Sequence, residues 1–390
     1  MKKAYILASY RTPGCRANKG KFKDTRPDDL AALAIKGLVE RTEIDPATIS
    51  DVYLGCSFPE AEQGMNIGRV AGMKAGLPID VPGLTINRFC SSGLQSIAMA
   101  AERVMSGFAD CIVAGGVESM SCVPLGGLKY SANPGMMVDW PEAFSSMGVT
   151  AELVAEQYGI DRLAMDTFAA ASNSKAAAAI EAGRFADEII PVEIEKNMLV
   201  DGKMKTVKEM VNIDDGVRLG TTVESLSKVR SAFKIGGPVT AGNSSQMTDG
   251  AAVALVVSEE YLEKLSKSPM ARFLAFSANG CPPEVMGIGP IAAIPAALKL
   301  AGLKQEDIDL IELNEAFAAQ ALAVIKTLGL NPDMINVNGG AIALGHPLGC
   351  TGAKLTTTLL HEMGRRKLRY GMVSMCIGGG MGAAGIFEKL

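Results

Sequence analysis

Residues 84–114 read LTINRFCSSGLQSIAMAAERVMSGFADCIVA, and the fold follows from how this stretch is divided. Leu84 to Phe89 reads as a strand. From Ser91 to Met105 the apolar positions Leu94, Ile97, Ala98, Ala101 and Val104 recur at helical spacing, and Gly107 ends the helix. Cys111 to Ala114 is a short unbroken apolar run, which reads as a buried strand. Cys90 falls on the junction between the first strand and the helix. Upstream, residues 28–43 (DDLAALAIKGLVERTE) carry a helical pattern, Asp51 to Gly55 a strand, and the opening MKKAYILASYRTPG a first strand. The chain is therefore α/β.

The C-terminal part repeats this order. PIAAIPAALKLAGL, from Pro290, reads as a helix and Asp309 to Leu313 as a strand. A Gly-rich turn, a helix from Gly352 to Met363 and a strand from Met372 to Ile377 follow. Placing Ile49 on Ile308 sets Gly55 opposite Asn314, and the Cys90 turn opposite the turn from Gly345 to Gly352. Two halves of one ancestor fit this pattern, as does chance likeness between α/β units. Between them, from Glu118 to Gln246, Met-, Ser- and Pro-containing loops precede a charged helical stretch, which reads as an insertion. At the end of a parallel strand such an insertion lies over the carboxyl edge of the sheet, where open α/β folds bind ligands. The expected division is residues 1–117 plus about 247–268 as the first half, 118–246 as the insertion and 269–390 as the second half.

A chain of 390 residues supports two or three packed domains. Its 48% hydrophobic, 21% charged and 5% aromatic residues and 43 Gly describe a soluble, closely packed α/β protein. A net charge of −4 with no Lys/Arg cluster excludes a nucleic-acid footprint. The N-terminus does not read as a signal sequence, and no apolar run is expected to reach membrane-spanning length. The eight Cys are scattered without a CxxC pair, against both zinc and a disulfide framework, and reduced thiols fit a cytoplasm.

Cys90, at the first turn of a helix, has backbone N–H groups and the helix dipole to favour a thiolate. A nucleophile and a buried structural thiol fit this local setting equally. Of the two His, His361 lies in a helix beside charges. His346 lies in GGAIALGHPLGCTGA, a turn too rich in Gly for ordinary core, at the place in the second half that Cys90 holds in the first. A pseudo-two-fold axis would bring the two turns together, with His346 as general base. Cys376, before Ile377-Gly378-Gly379-Gly380, is either an inert buried thiol or a second reactive one beside a nest of N–H groups able to hold an oxyanion. Asn314, in NEAFA at a strand end, is a surface loop residue or an amide that orients a water.

NRFCSSGLQ, GGVESMS, TAGNSSQMTDGAA, NEAFA, GGAIALGHPLGCTGA and CIGGGMGAA together resemble the ordered motif set of the thiolase family, from Arg11-Thr12-Pro13 to the C-terminus. The resemblance implies two duplicated βαβαβαββ halves packed as a layered α/β/α/β/α core with an inserted loop domain. It implies that Cys90 is acylated, that His346 activates it, and that Cys376 is the second acid/base. Asn314 with a water and His346 would form one oxyanion hole, and the N–H groups of Cys90 and Gly378 the other. Acyl-CoA and CoA are the implied ligands, CoA being a substrate and no cofactor being needed. The insertion would bind CoA through Arg218 near the phosphates, Ser225 near the adenine and Ser245 at the pantetheine arm, with Met147 and Phe317 lining the acyl tunnel. A homodimer or homotetramer is implied, with a hydroxyacyl-CoA dehydrogenase or hydratase as a candidate partner enzyme.

Ser146, where biosynthetic members often carry His, together with RFCSSGLQ, GHPLGC and GNSSQ, is more similar to the degradative 3-ketoacyl-CoA subgroup. The alternatives are a biosynthetic acetoacetyl-CoA thiolase, a decarboxylating condensing enzyme and a CoA-binding protein without catalysis. The condensing enzyme needs a second active-site His or an Asn, for which His361 is a poor candidate. Intact Cys90, His346, Cys376 and Asn314 argue against loss of catalysis.

Overall fold

The computed structural model of the chain describes residues 2–200 and 203–390. The first half contains β1 (Ala4–Arg11), β2 (Cys15–Arg16), α1 (Pro27–Thr42), β3 (Asp51–Gly55), α2 (Ile67–Lys74), β4 (Gly83–Ile86), α3 (Ser92–Met105) and β5 (Cys111–Ser119). The chain then leaves through α4 (Pro134–Asp139), α5 (Met147–Tyr158), α6 (Arg162–Glu181), the hairpin β6 (Val192–Val200) and β7 (Lys203–Val211), and α7 (Val223–Ser227). It returns as β8 (Thr248–Ser258) and α8 (Glu259–Leu265). The second half is β9 (Ala271–Gly280), α9 (Gly289–Ala301), β10 (Leu310–Leu313), α10 (Ala318–Leu328), α11 (Ala341–Leu344), α12 (Leu348–Arg366), β11 (Tyr370–Ile377) and β12 (Met381–Glu388).

Hydrogen-bonded strands follow the order β10-β11-β12-β9-β1-β8-β5-β3-β4. On one side β4, β3 and β5 are parallel and β8 and β1 complete the half-sheet antiparallel. On the other, β10 and β11 are parallel, and β12 and β9 are antiparallel. β3 thus matches β10, β5 matches β11, β8 matches β12 and β1 matches β9, so the duplication is visible in the topology. The halves join where Tyr5 and Ile6 of β1 meet Arg272 and Ala271 of β9. The counterpart of β4 is reduced to one bridge between Ile311 and Ile335.

Packing makes the layers. Leu30, Ile35 and Leu38 of α1 bury against Leu54, Val113 and Val253 on the outer face of the first half-sheet. Ala293, Ile294 and Ala297 of α9 bury against Met372, Ala384 and Ile386 on the outer face of the second. Between the half-sheets, Leu94, Ile97 and Ala101 of α3 share one core with Leu355, Leu359 and Met363 of α12. Each fully buried side chain of this size contributes roughly 1.5–3 kcal/mol. Every residue of β5 and of β8 is buried, which explains why Cys111 to Ala114 reads as an unbroken apolar run.

Three expectations are corrected here. β5 continues to Ser119, because Gly115 and Gly116 still pair with Val253 and Ala252 of β8. The region after Leu313, expected as a Gly-rich turn, contains α10 and α11, and α12 begins at Leu348 instead of Gly352. One run does reach membrane-spanning length: Pro283–Ala301, 19 residues with mean hydropathy 1.4. Its backbone kinks at Val285, and α9 packs on β9 and β12, so burial against the sheet accounts for its apolar character.

Candidate active site

The nucleophile candidate is held on a tight turn. Phe89 has φ 41°, a left-handed conformation rare for a side chain of this bulk, and Phe89–Ser91 form a 3-10 turn that runs into α3. Ser92 locks the turn: its hydroxyl donates to Phe89 O at 2.6 Å and accepts the Arg88 N–H at 2.9 Å. Cys90 is half-buried beside Ala17, Phe58, Met120 and Leu348. The N–H groups of Gly378 and of Cys90 itself lie near its sulfur and favour the thiolate. Burial outweighs them and, with a smaller push from Glu118, raises the thiol to about 11. This corrects the expectation of a dipole-stabilised thiolate: at neutral pH the resting group is a thiol.

Gly378 opens the loop that ends β11, and its neighbours Gly379 and Gly380 have φ of 80° and 81°, which turns successive amides the same way. Phe89 and Met147 flank this loop; a methyl group on Gly378 would stand 3.6 Å from the Met147 sulfur.

His346 comes from the other half. Its backbone N–H donates to Gln246 O at 3.0 Å and to Thr248 Oγ1 at 3.1 Å, and its Nδ1 lies 2.6 Å from Thr351 Oγ1. Nε2 faces the Asn314 amide nitrogen at 3.4 Å. With the amide nitrogen donating, Nε2 is the acceptor and Nδ1–H donates to Thr351, the tautomer a general base requires. Burial, aided by the Lys354 charge, lowers His346 to about 3, so the imidazole is neutral. Asn314 is buried and its Oδ1 has no hydrogen-bond partner among the described residues.

Cys376, the penultimate residue of β11 before the Gly loop, is buried beside Phe317, Met286 and Ile342. Burial pushes its thiol well above the ordinary range, and the Cys90 and Cys281 thiols nearby add to this. The structure therefore places Cys90, Gly378 and Cys376 together and pairs His346 with Asn314, while Leu348, two residues after His346, packs beside Cys90. A second thiol, held protonated, thus stands near the nucleophile as a candidate acid.

The nucleotide-end candidates lie apart from this cluster. Arg218 lies on the insertion with much of its side chain open to solvent; partial burial, and then the charge of nearby Arg16, lower its pKa. Ser225 is exposed and its hydroxyl is engaged in a capping box with Thr222 at the start of α7. Ser245 donates its N–H to Ala316 O at 2.9 Å, and Ser244 bridges Phe317, so this segment runs against the Asn314–Phe317 loop. The Phe317 ring meets Phe233 edge-on at 6.0 Å.

Sequence reading assigned no role to Glu118 or Thr351. Buried Glu118 accepts N–H bonds from Ser57, Phe58, Gln63 and Gly349, tying the start of α12 to the first half. Thr351 lies five residues after His346 on that same helix, a spacing that would have pointed to it once α12 was started at Leu348.

Residues 4–260 match the family model described as Thiolase, N-terminal domain, and residues 267–389 match Thiolase, C-terminal domain. The chain belongs to the thiolase family. It is 52% identical over 389 residues to a Bacillus subtilis protein named 3-ketoacyl-CoA thiolase, covering 100% of both chains. It is 47% identical to an Arabidopsis thaliana protein named 3-ketoacyl-CoA thiolase 5, peroxisomal, covering 98% of this chain and 85% of that one. Among solved thiolase-fold structures, the Bacillus anthracis acetyl-CoA acetyltransferase superposes with a TM-score of 0.91 at 38% identity, covering 100% of this chain and 99% of that one. As a thiolase the chain is an acyltransferase.

Proposed function

We propose that this thiolase cleaves 3-ketoacyl-CoA with CoA, giving acetyl-CoA and an acyl-CoA shortened by two carbons, and that the reverse condensation runs on the same site. The observation that carries the proposal is the gathering of two thiols, Cys90 and Cys376, by the Gly378 loop, with Leu348, two residues after the neutral His346, packed beside Cys90. In the first step the Cys90 sulfur attacks the 3-keto carbonyl while its proton passes to His346. The oxyanion is met by the amides of Cys90 and Gly378. The bond between C2 and C3 then breaks, leaving an acyl group on Cys90, and Cys376 gives its proton to C2 of the departing acetyl-CoA. In the second step the Cys376 thiolate takes the proton of CoA, whose sulfur attacks the acyl-Cys90, its oxyanion again meeting the amides of Cys90 and Gly378, and His346 returns its proton to Cys90; Asn314 and His346 face the thioester oxygen of the acetyl-CoA released in the first step. Burial suits Cys376 to this work, since a thiol held protonated is ready to quench a carbanion.

Relatives named 3-ketoacyl-CoA thiolase support the degradative reading, whereas the acetyl-CoA acetyltransferase neighbour favours a site limited to acetoacetyl-CoA. Rates of thiolysis across 3-ketoacyl-CoA chain lengths decide between them: turnover at six carbons and above supports the first, and activity confined to four carbons supports the second. Activity on malonyl thioesters with none on acetoacetyl-CoA plus CoA would replace both with a decarboxylating condensing enzyme. On this reading Arg218, Ser225 and Ser245 line the CoA path and Met147 and Phe317 the acyl path. CoA is a substrate and no cofactor takes part. The proposed setting is a cytoplasmic homodimer or homotetramer, fed by a hydroxyacyl-CoA dehydrogenase.

A further inference from the structure

Four consecutive carbonyls precede His346, those of Ile342, Ala343, Leu344 and Gly345, and they emerge from the C-terminal end of the one-turn helix α11, where orphan acceptors need donors. Two buried side chains take all four. Gln246 Nε2 stands 2.9 Å from Ile342 O and 3.1 Å from Ala343 O. Lys354 Nζ stands 2.7 Å from Leu344 O and 3.2 Å from Gly345 O, a cation at a helix C-terminus.

Gln246 does more than cap. The same Nε2 lies 2.8 Å from Gly216 O, two residues before Arg218. Its backbone carbonyl accepts the His346 N–H at 3.0 Å. Gly216 itself presses on the turn, since a methyl group there would stand 2.7 Å from Ala343 O. Asp214, next along this segment, is anchored by buried Arg11 through bonds of 2.7 and 2.8 Å and accepts Gly14 N–H. The Asp214–Arg218 segment and the His346 turn are thus fastened to one amide.

We infer that Gln246 is a positioning residue that couples the Asp214–Arg218 segment to His346, so that an anion held at Arg218 sets where the imidazole stands. The inference rests on the reading that Arg218 meets the nucleotide phosphates of CoA. Binding energy from the nucleotide, far from the reacting carbon, is then spent on alignment of the base, and substrates that lack the nucleotide lose turnover as well as affinity.

The test compares acetoacetyl-CoA plus CoA with acetoacetyl-pantetheine plus pantetheine, measuring kcat and KM for each pair with the full-length enzyme. The wild type is expected to turn over the CoA pair at least tenfold faster at saturation. In Gln246→Met, which keeps length but removes the donors, that ratio collapses towards one, mainly through kcat with the CoA pair. Gly216→Ala, which wedges the same contact and removes no donor, gives the same collapse and serves if Gln246→Met does not fold. A wild-type ratio near one, or equal loss with both pairs in both variants, overturns the coupling. Arg218→Ala tests the underlying reading separately. It should raise KM and lower kcat for the CoA pair, each several-fold, so that the CoA pair approaches the pantetheine pair. If it has no effect while Gln246→Met still collapses the ratio, the nucleotide does not sit at Arg218 and the coupling from Arg218 is overturned, leaving Gln246 as a support of the His346 turn alone.

Discussion

Gly93 of α3 and Gly352 of α12 pack reciprocally: a methyl group on Gly93 would stand 2.7 Å from Ala353 N, and one on Gly352 would stand 2.3 Å from Leu94 N. In the register that places Ile49 on Ile308, the two glycines are equivalent. The helices cross backbone to backbone at this point, and the crossing sets the start of each helix, with Cys90 and His346, beside the other.

Gly93→Ala and Gly352→Ala should each destabilise the fold by about 3 kcal/mol or more, since the struck atoms are backbone and cannot step aside. Among the described residues none stands within 4 Å of where a methyl group on Gly364 of α12 would sit, so Gly364→Ala should stabilise by about 0.5–1 kcal/mol. Urea unfolding midpoints of the three variants check the contrast.

Mass spectrometry after incubation with acetyl-CoA should find one acetyl group, on Cys90. The adduct should vanish in Cys90→Ala. In Cys376→Ala it should persist while cleavage of acetoacetyl-CoA is lost. An adduct that survives in Cys90→Ala assigns the nucleophile elsewhere.

The raised Cys90 thiol leaves little thiolate at neutral pH, and the fraction grows with pH towards about 11. Iodoacetamide labelling of Cys90 in substrate-free enzyme, followed by peptide mass, should accelerate about tenfold per pH unit between roughly pH 7 and 9. A plateau reached below that range contradicts a resting thiol.

His346 is depressed to about 3 in the folded protein, whereas the unfolded chain takes up the proton near its ordinary 6.5. Stability that depends on the neutral ring is therefore complete above that higher value and is lost as pH falls towards the lower one. Between neutral and mildly acidic buffer, the wild type should lose more unfolding free energy than His346→Asn. Equal losses in urea titrations would refute a buried neutral ring.

Glu118→Gln places an amide N–H₂ among donors that now meet a carboxylate, including the N–H groups of Ser57 and Gly349. The expected cost is about 3 kcal/mol of stability. A fall in kcat/KM should accompany it, read from denaturant curves and initial rates, because Gly349 lies three residues beyond His346.

Much of this arrangement was legible in the chain. The strand, Cys90 and the helix after it announced themselves by period, and the Gly-rich turn around His346 did so by composition. α10 was missed because AAQALAVIKTL follows a motif that drew attention to polar residues, although its apolar spacing was helical. The protonation state of Cys90 was not legible, since the apolar groups that desolvate it, Ala17, Phe58, Met120 and Leu348, arrive from four separate segments. Nor was Gln246, whose three acceptors become neighbours only after the insertion folds back on the second half.

The strained turn at Phe89 and the apolar seat of Cys90 bear on durability. Peroxide oxidises thiolates far faster than thiols, and the first product, a sulfenic acid, leads on to forms that cannot carry an acyl group. A nucleophile that idles in its protonated form is spared this wear. It is exposed to damage chiefly in the moments when a thioester is bound, and then the substrate itself covers the sulfur. The working life of such an enzyme is counted in turnovers more than in hours.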